Sequence, residues 1–165
     1  LTPFSTGRRA FAFATIAIGL SACSIGLFGG SGLPRGDVDA TAMTSTFLPW
    51  VNALRKSRGL EPVSPSRACT NVAVDQASRM ALADRMNHIT GSESVYNRFK
   101  RNDLPLPAAE NIAMQQKTPE RAFQAWVNSP KHLDNMLGNY SHVGVAKATS
   151  PNFGNTPFWS MCLSR

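Results

Sequence analysis

Two segments near the C-terminus, SHVGVAKA (141–148) and PFWSMCLS (157–164), alternate in side-chain type and are rich in β-branched or aromatic residues. Such segments read as strands. SPNFGNT between them carries turn residues, so the pair is expected to fold back as an antiparallel hairpin. The upstream chain has a different period. TSTFLPWVNALRKSRGL places Phe47, Leu48, Val51 and Leu54 at helical spacing, with Pro49 in the first turn and Gly59 as a stop. Arg55 takes the next position of that period, where its stem can lie along the core edge. A second helix opens at a Ser66 cap and presents Cys69, Val72, Ala73, Ala77 and Met80 on one face. Asp75 and Arg79 fall off that face and read as solvated, and the helix is expected to fray near Asn87-His88. ITGSESVYNRFKRNDLPLP reads as loop with one helical turn, and AAENIAMQQ follows it. Thr118-Pro119 opens a further helix and Ser129-Pro130 another. Helices first and a paired antiparallel end last argue an α+β domain, starting near Ser45 and running to Arg165.

The N-terminus reads as processing rather than fold. Arg8-Arg9 precede an apolar run from Ala10 to Leu20. That run is shorter than the roughly 20 apolar residues a spanning helix needs, and fits the apolar region of a secretory signal. LSAC, Leu20 to Cys23, resembles the lipobox of bacterial lipoproteins, in which the cysteine becomes the lipidated first residue of the mature chain. The competing reading is a plain signal with an incidental cysteine. Arg8-Arg9-Ala10-Phe11 also resembles a twin-arginine export signal. The expected organisation is a signal peptide over residues 1–22, then Cys23 and a glycine-rich tether to residue 44. A flexible tether of that length spans about 20–25 Å.

Hydrophobic residues make up 42% of the chain, enough for a globular core, and the formal net charge is +7. The basic residues are scattered. The densest run, RFKR (Arg98 to Arg101), reads as a solvated face, and no nucleic acid is expected as a partner. Cys69 and Cys162 lie at opposite ends of the domain. Outside the cytoplasm they can pair, and by loop entropy such a bridge would contribute roughly 4–5 kcal/mol. Two buried free thiols packing as small hydrophobes are the alternative.

Three residues carry candidate chemistry. His132 follows Ser129-Pro130 as the third residue of a helix, where the helix dipole disfavours the imidazolium and leaves the form that ligates metals. Alone it also reads as a surface or capping histidine. His88 alone reads as a helix-end residue bonding the last carbonyls. Glu110, in AAENIA, sits in an apolar setting and needs a partner there; it also reads as a structural carboxylate. Together, two imidazoles and a carboxylate would suit zinc with one position left open, although no short metal motif is present.

The segments VNALRKSRGL, ASRMALADRMNH, AAENIA, AWVNSPKHLDNML and HVGVA, in this order, resemble the bacterial branch of the CAP superfamily (the SCP domains). The resemblance covers about Ser45 to the C-terminus. It implies a three-layer α-β-α sandwich with a central antiparallel sheet and a cleft lined by histidines and glutamates. Carried over, His88, Glu110 and His132 are the cleft residues. The second cleft glutamate of the animal and plant members has no counterpart after Trp126, which leaves one carboxylate. His142 ranks below His132 as the second histidine. The function implied is an extracytoplasmic, lipid-anchored binding module on the periplasmic side of a bacterial envelope, whose cleft takes a metal ion, a lipid or a cell-envelope ligand. The alternative is a hydrolase in which a histidine-bound metal activates water and Glu110 is the base.

Overall fold

The computed structural model describes residues 36–165. The expected signal peptide, Cys23 and most of the expected tether lie outside these residues. The element order is β1 (Asp39–Ala42), α1 (Thr44–Ser57), β2 (Ser64–Pro65), α2 (Arg67–Ala83), α3 (Val95–Arg101), β3 (Ala108–Met114), α4 (Pro119–Val127), α5 (Pro130–Met136), β4 (His142–Thr149) and β5 (Phe158–Ser164). The sheet runs β1-β4-β5-β3, with antiparallel neighbours, and the two-residue β2 pairs β4 in parallel. The fold is α+β, as the segment order argued.

The two faces of the sheet differ in side-chain size, and this sets the layers. Val143 and Val145 of β4 and Trp159, Met161 and Leu163 of β5 point to one face. There they pack with Phe47 and Val51 of α1, Trp126 of α4 and Met136 of α5. The alternate residues Ala146, Ala148, Phe158 and Cys162 point to the other face, against the Ala73, Ala77 and Met80 side of α2. Small residues on both partners let α2 lie close to the strands. Gly144 marks the limit of this approach. A Cβ there would run into the backbone of Cys69 and Thr70 in the first turn of α2.

The structure departs from the sequence reading in several places. Residues 39–42, read as the end of the tether, form β1 along β4. Helix α2 ends at Ala83, short of Asn87-His88, because Asp84 takes a left-handed conformation (φ 45°) and the Arg85 amide donates back to the Met80 carbonyl. Asp75 and Arg79 are buried rather than solvated. The outer side of α2 is covered by α3 and the loop before it. Arg79 pairs with Asp75 and Glu93, and Arg101 pairs with the same two acids, at 2.8–3.1 Å. RFKR is a solvated face only in part: Lys100 and Arg101 are exposed, whereas Arg98 has no exposed surface. Ser66 and Thr118 cap α2 and α4 by accepting backbone amides. Ser129 occupies the cap position of α5 without a side-chain capping bond.

Candidate functional site

Strand β3 lies at the edge of the sheet, and its AAENIAM sequence places two adjacent polar residues on opposite faces. Glu110 points to the α2 face and Asn111 to the α5 face. Each holds one histidine-bearing segment. The Glu110 carboxylate accepts from His88 Nδ1 at 2.9 Å, drawing the 84–90 loop onto the sheet edge. Asn111 Nδ2 donates to the His132 carbonyl at 2.9 Å, and Asn111 Oδ1 accepts from Asn135 Nδ2 at 2.8 Å. The Glu-Asn pair therefore sets both walls of the cleft from one strand. Trp126 covers the strand edge between them, donating its indole N–H to the Ile112 carbonyl.

The partner that Glu110 needs is Arg98. Its Nη2 donates to both Glu110 oxygens, at 3.0 and 2.8 Å, and to the His88 carbonyl at 3.2 Å. Both side chains are buried, whereas the His88 side chain is about half exposed (47%). The 84–90 loop is further tied to α2 by Gln76, which donates to the Asn87 carbonyl at 2.6 Å. With its Nδ1 on Glu110, His88 has Nε2 left for a further partner. The carboxylate itself is committed to Arg98 and His88.

His132 stands on the other wall. Burial pushes its imidazole below the usual histidine range, and the charge on His88 when protonated pushes it the same way. His132 Nδ1 is buried and has no hydrogen-bond partner, as does Gln116 Oε1. Both residues line a hollow of about 170 Å³ whose remaining walls are largely apolar: Met86, Ile112, Ala113, Met114, Ala125 and Trp126, with Ser129 at the side. A larger hollow of about 500 Å³ adjoins Arg55. The donors of Arg55 are spent there on the carbonyls of Glu61, Met136, Gly138 and Tyr140, so that hollow offers no free reactive group from Arg55. His142 opens β4 beside Ser64 and Ser164 and does not line the His132 hollow.

The three candidate residues thus meet around one strand edge, but not as a three-ligand cage. Among the described residues, no three His, Cys, Asp or Glu side chains come close enough together to hold a metal ion. Arg98, Asn111, Gln116 and Trp126 are site residues that the sequence reading missed. Asn111 was the most accessible of them, because a polar residue beside Glu110 in a strand must point to the opposite face.

Similarity to known proteins agrees with this geometry. The model of the cysteine-rich secretory protein family, CAP, matches residues 50–163. The uncharacterized protein YkwD of Bacillus subtilis (strain 168) is 31% identical over 110 residues, which cover 65% of this chain and 43% of YkwD. The chain therefore spans less than half the length of that relative. Among solved structures, an outer surface protein from Borrelia burgdorferi superposes with a TM-score of 0.68 at 16% identity, covering 78% of this chain and 98% of that one. An extracellular SCP-domain protein from Bacillus anthracis str. Ames gives 0.64 at 22% identity, covering 73% and 39%. At such identities these two structures speak for the fold. The family match spans more than half the chain, and the chain belongs to the cysteine-rich secretory protein (CAP) family.

Proposed function

We propose that this protein is an extracytoplasmic, lipid-anchored binding module whose cleft takes an apolar cell-envelope ligand carrying a polar end group. The observation that carries this reading is the hollow beside His132. Its walls are mostly hydrocarbon and thioether, and two of the residues that line it, His132 and Gln116, each carry a buried polar atom without a partner, His132 Nδ1 and Gln116 Oε1. Buried polar atoms are normally satisfied. A chain end bearing a hydroxyl or amide would satisfy them while its apolar part fills the space between Met86 and Trp126. At about 170 Å³ the hollow is smaller than the pockets that enclose whole drug-sized ligands. It suits the end of a chain whose remainder lies along the open cleft.

An extracytoplasmic location is supported by the outer-surface and extracellular descriptions of the structural neighbours. The LSAC motif, through which Cys23 would anchor the chain to a membrane, is the support for a lipid anchor on the periplasmic side. The hydrolase alternative fares worse. Glu110, the base that this alternative assigns, is held by Arg98 and His88, and among the described residues no second carboxylate joins it.

Zinc binding is the second reading, favoured by the His88–Glu110 bond. A carboxylate on Nδ1 is the arrangement that orients a metal-ligating imidazole. His88 and His132 would supply the protein ligands, with Glu110 behind His88 rather than on the metal. Two imidazoles alone predict weak affinity. Mass spectrometry of protein purified natively from envelopes tests both readings, because it reports bound lipid and bound metal separately. Protein free of any co-purifying apolar molecule would speak against the first.

A further inference from the structure

A single row of residues crosses the sheet under the first turn of α2. Glu110 of β3 pairs with Cys162 of β5, and Cys162 pairs with Gly144 of β4. Cys69 stands above this row. Its backbone lies directly on Gly144, at the place where any Cβ would force the helix away. With no side chain at residue 144, the Cys69 side chain comes down onto Cys162, and the two sulfurs lie 2.7 Å apart although the residues are 93 positions apart in sequence. Neither residue has exposed surface. Their surroundings are Val72, Phe99 and Leu104, plus the Ser164 hydroxyl at 3.4 Å from Cys69 Sγ.

We infer that Cys69 and Cys162 are joined as a disulfide in the exported protein, a modification that ties the start of α2 to the strand beside Glu110. The thiols already face each other, with the sulfurs only a little farther apart than the bond length of a disulfide. Export supplies the compartment in which such bonds persist. The required oxidant is a disulfide-carrying thiol oxidant of the envelope. One cysteine thiolate attacks a sulfur of that oxidant, giving a mixed disulfide and releasing one oxidant thiolate. The second cysteine thiolate then attacks the mixed disulfide at the cysteine sulfur and expels the other. Two protons pass from the cysteines to the departing thiolates. Two electrons leave the cysteine pair, and the oxidant ends as a dithiol.

The burial of the pair dictates when this happens. In the folded domain an oxidant cannot reach either sulfur, and burial pushes the Cys162 thiol well above its usual range, away from the reactive thiolate. The bond must therefore close during folding, before α2 has packed on the sheet. Once closed, it is shielded from soluble reductants. Holding β5 under α2 also fixes the strand on which the Glu110 row is built.

The test uses the full chain recovered from the envelope. It is denatured without reductant, alkylated, digested and mapped by mass spectrometry. The expected result is one linked peptide pair containing Cys69 and Cys162, with neither residue alkylated until reductant is added in denaturant. Quantitative alkylation of both cysteines in the envelope protein would overturn the inference, and so would a linkage of either one to Cys23. A second measurement does not depend on recovering linked peptides. Wild type reduced in denaturant and refolded under reductant should show a lower urea midpoint than oxidised wild type, and the same treatment should leave the Cys69→Ala, Cys162→Ala double variant unchanged. A wild-type midpoint unchanged by that reduction in denaturant would overturn it.

Discussion

Arg98 reaches Glu110 from α3 with one nitrogen on both carboxylate oxygens, at 3.0 and 2.8 Å, and the same nitrogen holds the His88 carbonyl. The cleft carboxylate is thus a strut between α3, the 84–90 loop and β3. Removing Arg98 would leave a buried carboxylate without its main partner.

Arg98→Met keeps the apolar stem and removes the donors. Breaking a buried pair from one side costs about 3–5 kcal/mol, and urea unfolding measures it. Adding Glu110→Gln removes the stranded charge and should recover part of that loss. A cost for Arg98→Met within the scatter of surface substitutions would contradict the strut.

Gly144→Ala should destabilise the domain by about 1–3 kcal/mol, the usual range for overpacking. The added methyl meets backbone atoms of Cys69 and Thr70, which cannot rotate away. Thermal unfolding of the purified domain reports the loss. Gly154→Ala serves as a comparison: a Cβ there meets no neighbour, although its positive φ brings strain of its own. If Gly144→Ala unfolds at the wild-type temperature, α2 does not rest on the sheet as described.

His132 gives a pH dependence with a defined sign. Its folded value is depressed by burial and by the His88 charge. The unfolded value is about 6.5. The neutral form is the one the fold favours, so this contribution is complete above about 6.5 and is lost as pH falls through the window down to the depressed folded value. Below that value the loss is constant. Imidazole NMR should find His132 titrating below the usual range, and His88→Ala should move it back upward in part. A His132 titration that ignores His88→Ala would separate the two histidines.

The anchor is tested by Cys23→Ala, which should move the protein from the membrane to the soluble envelope fraction while its circular dichroism stays unchanged. A wild type found wholly in the soluble fraction, with no mass added at Cys23, would remove the lipid anchor from the account.

The legible parts of this fold were the ones with local signals. The alternation of β4 and β5, the Ser66 and Thr118 caps and the Ser129-Pro130 start all appear where the sequence places them. What escaped depends on tertiary cover. Arg98 belongs to a run of basic residues that looks solvated, and only Glu110, twelve positions on, explains its burial. Asp75 and Arg79 lie off the apolar face of α2 but beneath α3 and its loop, a layer that the periodicity of one helix cannot announce. Strand β1 is four exposed residues with no apolar pattern, and its pairing with β4 defines it. The grouping of His88, Glu110 and His132 came from resemblance to a family rather than from spacing.

The central claim is that the His132 hollow holds the end of an apolar envelope ligand, and it can be tested by filling the hollow. Ala125 lines it from α4 and is only partly buried, so Ala125→Phe should occupy the space while the protein still folds. Native mass spectrometry of the two proteins, purified side by side from envelopes, is the measurement. The account predicts a co-purifying apolar molecule on the wild type and its loss from Ala125→Phe, with unfolding temperatures close to one another. An equal load on both proteins, or none on the wild type, would contradict it.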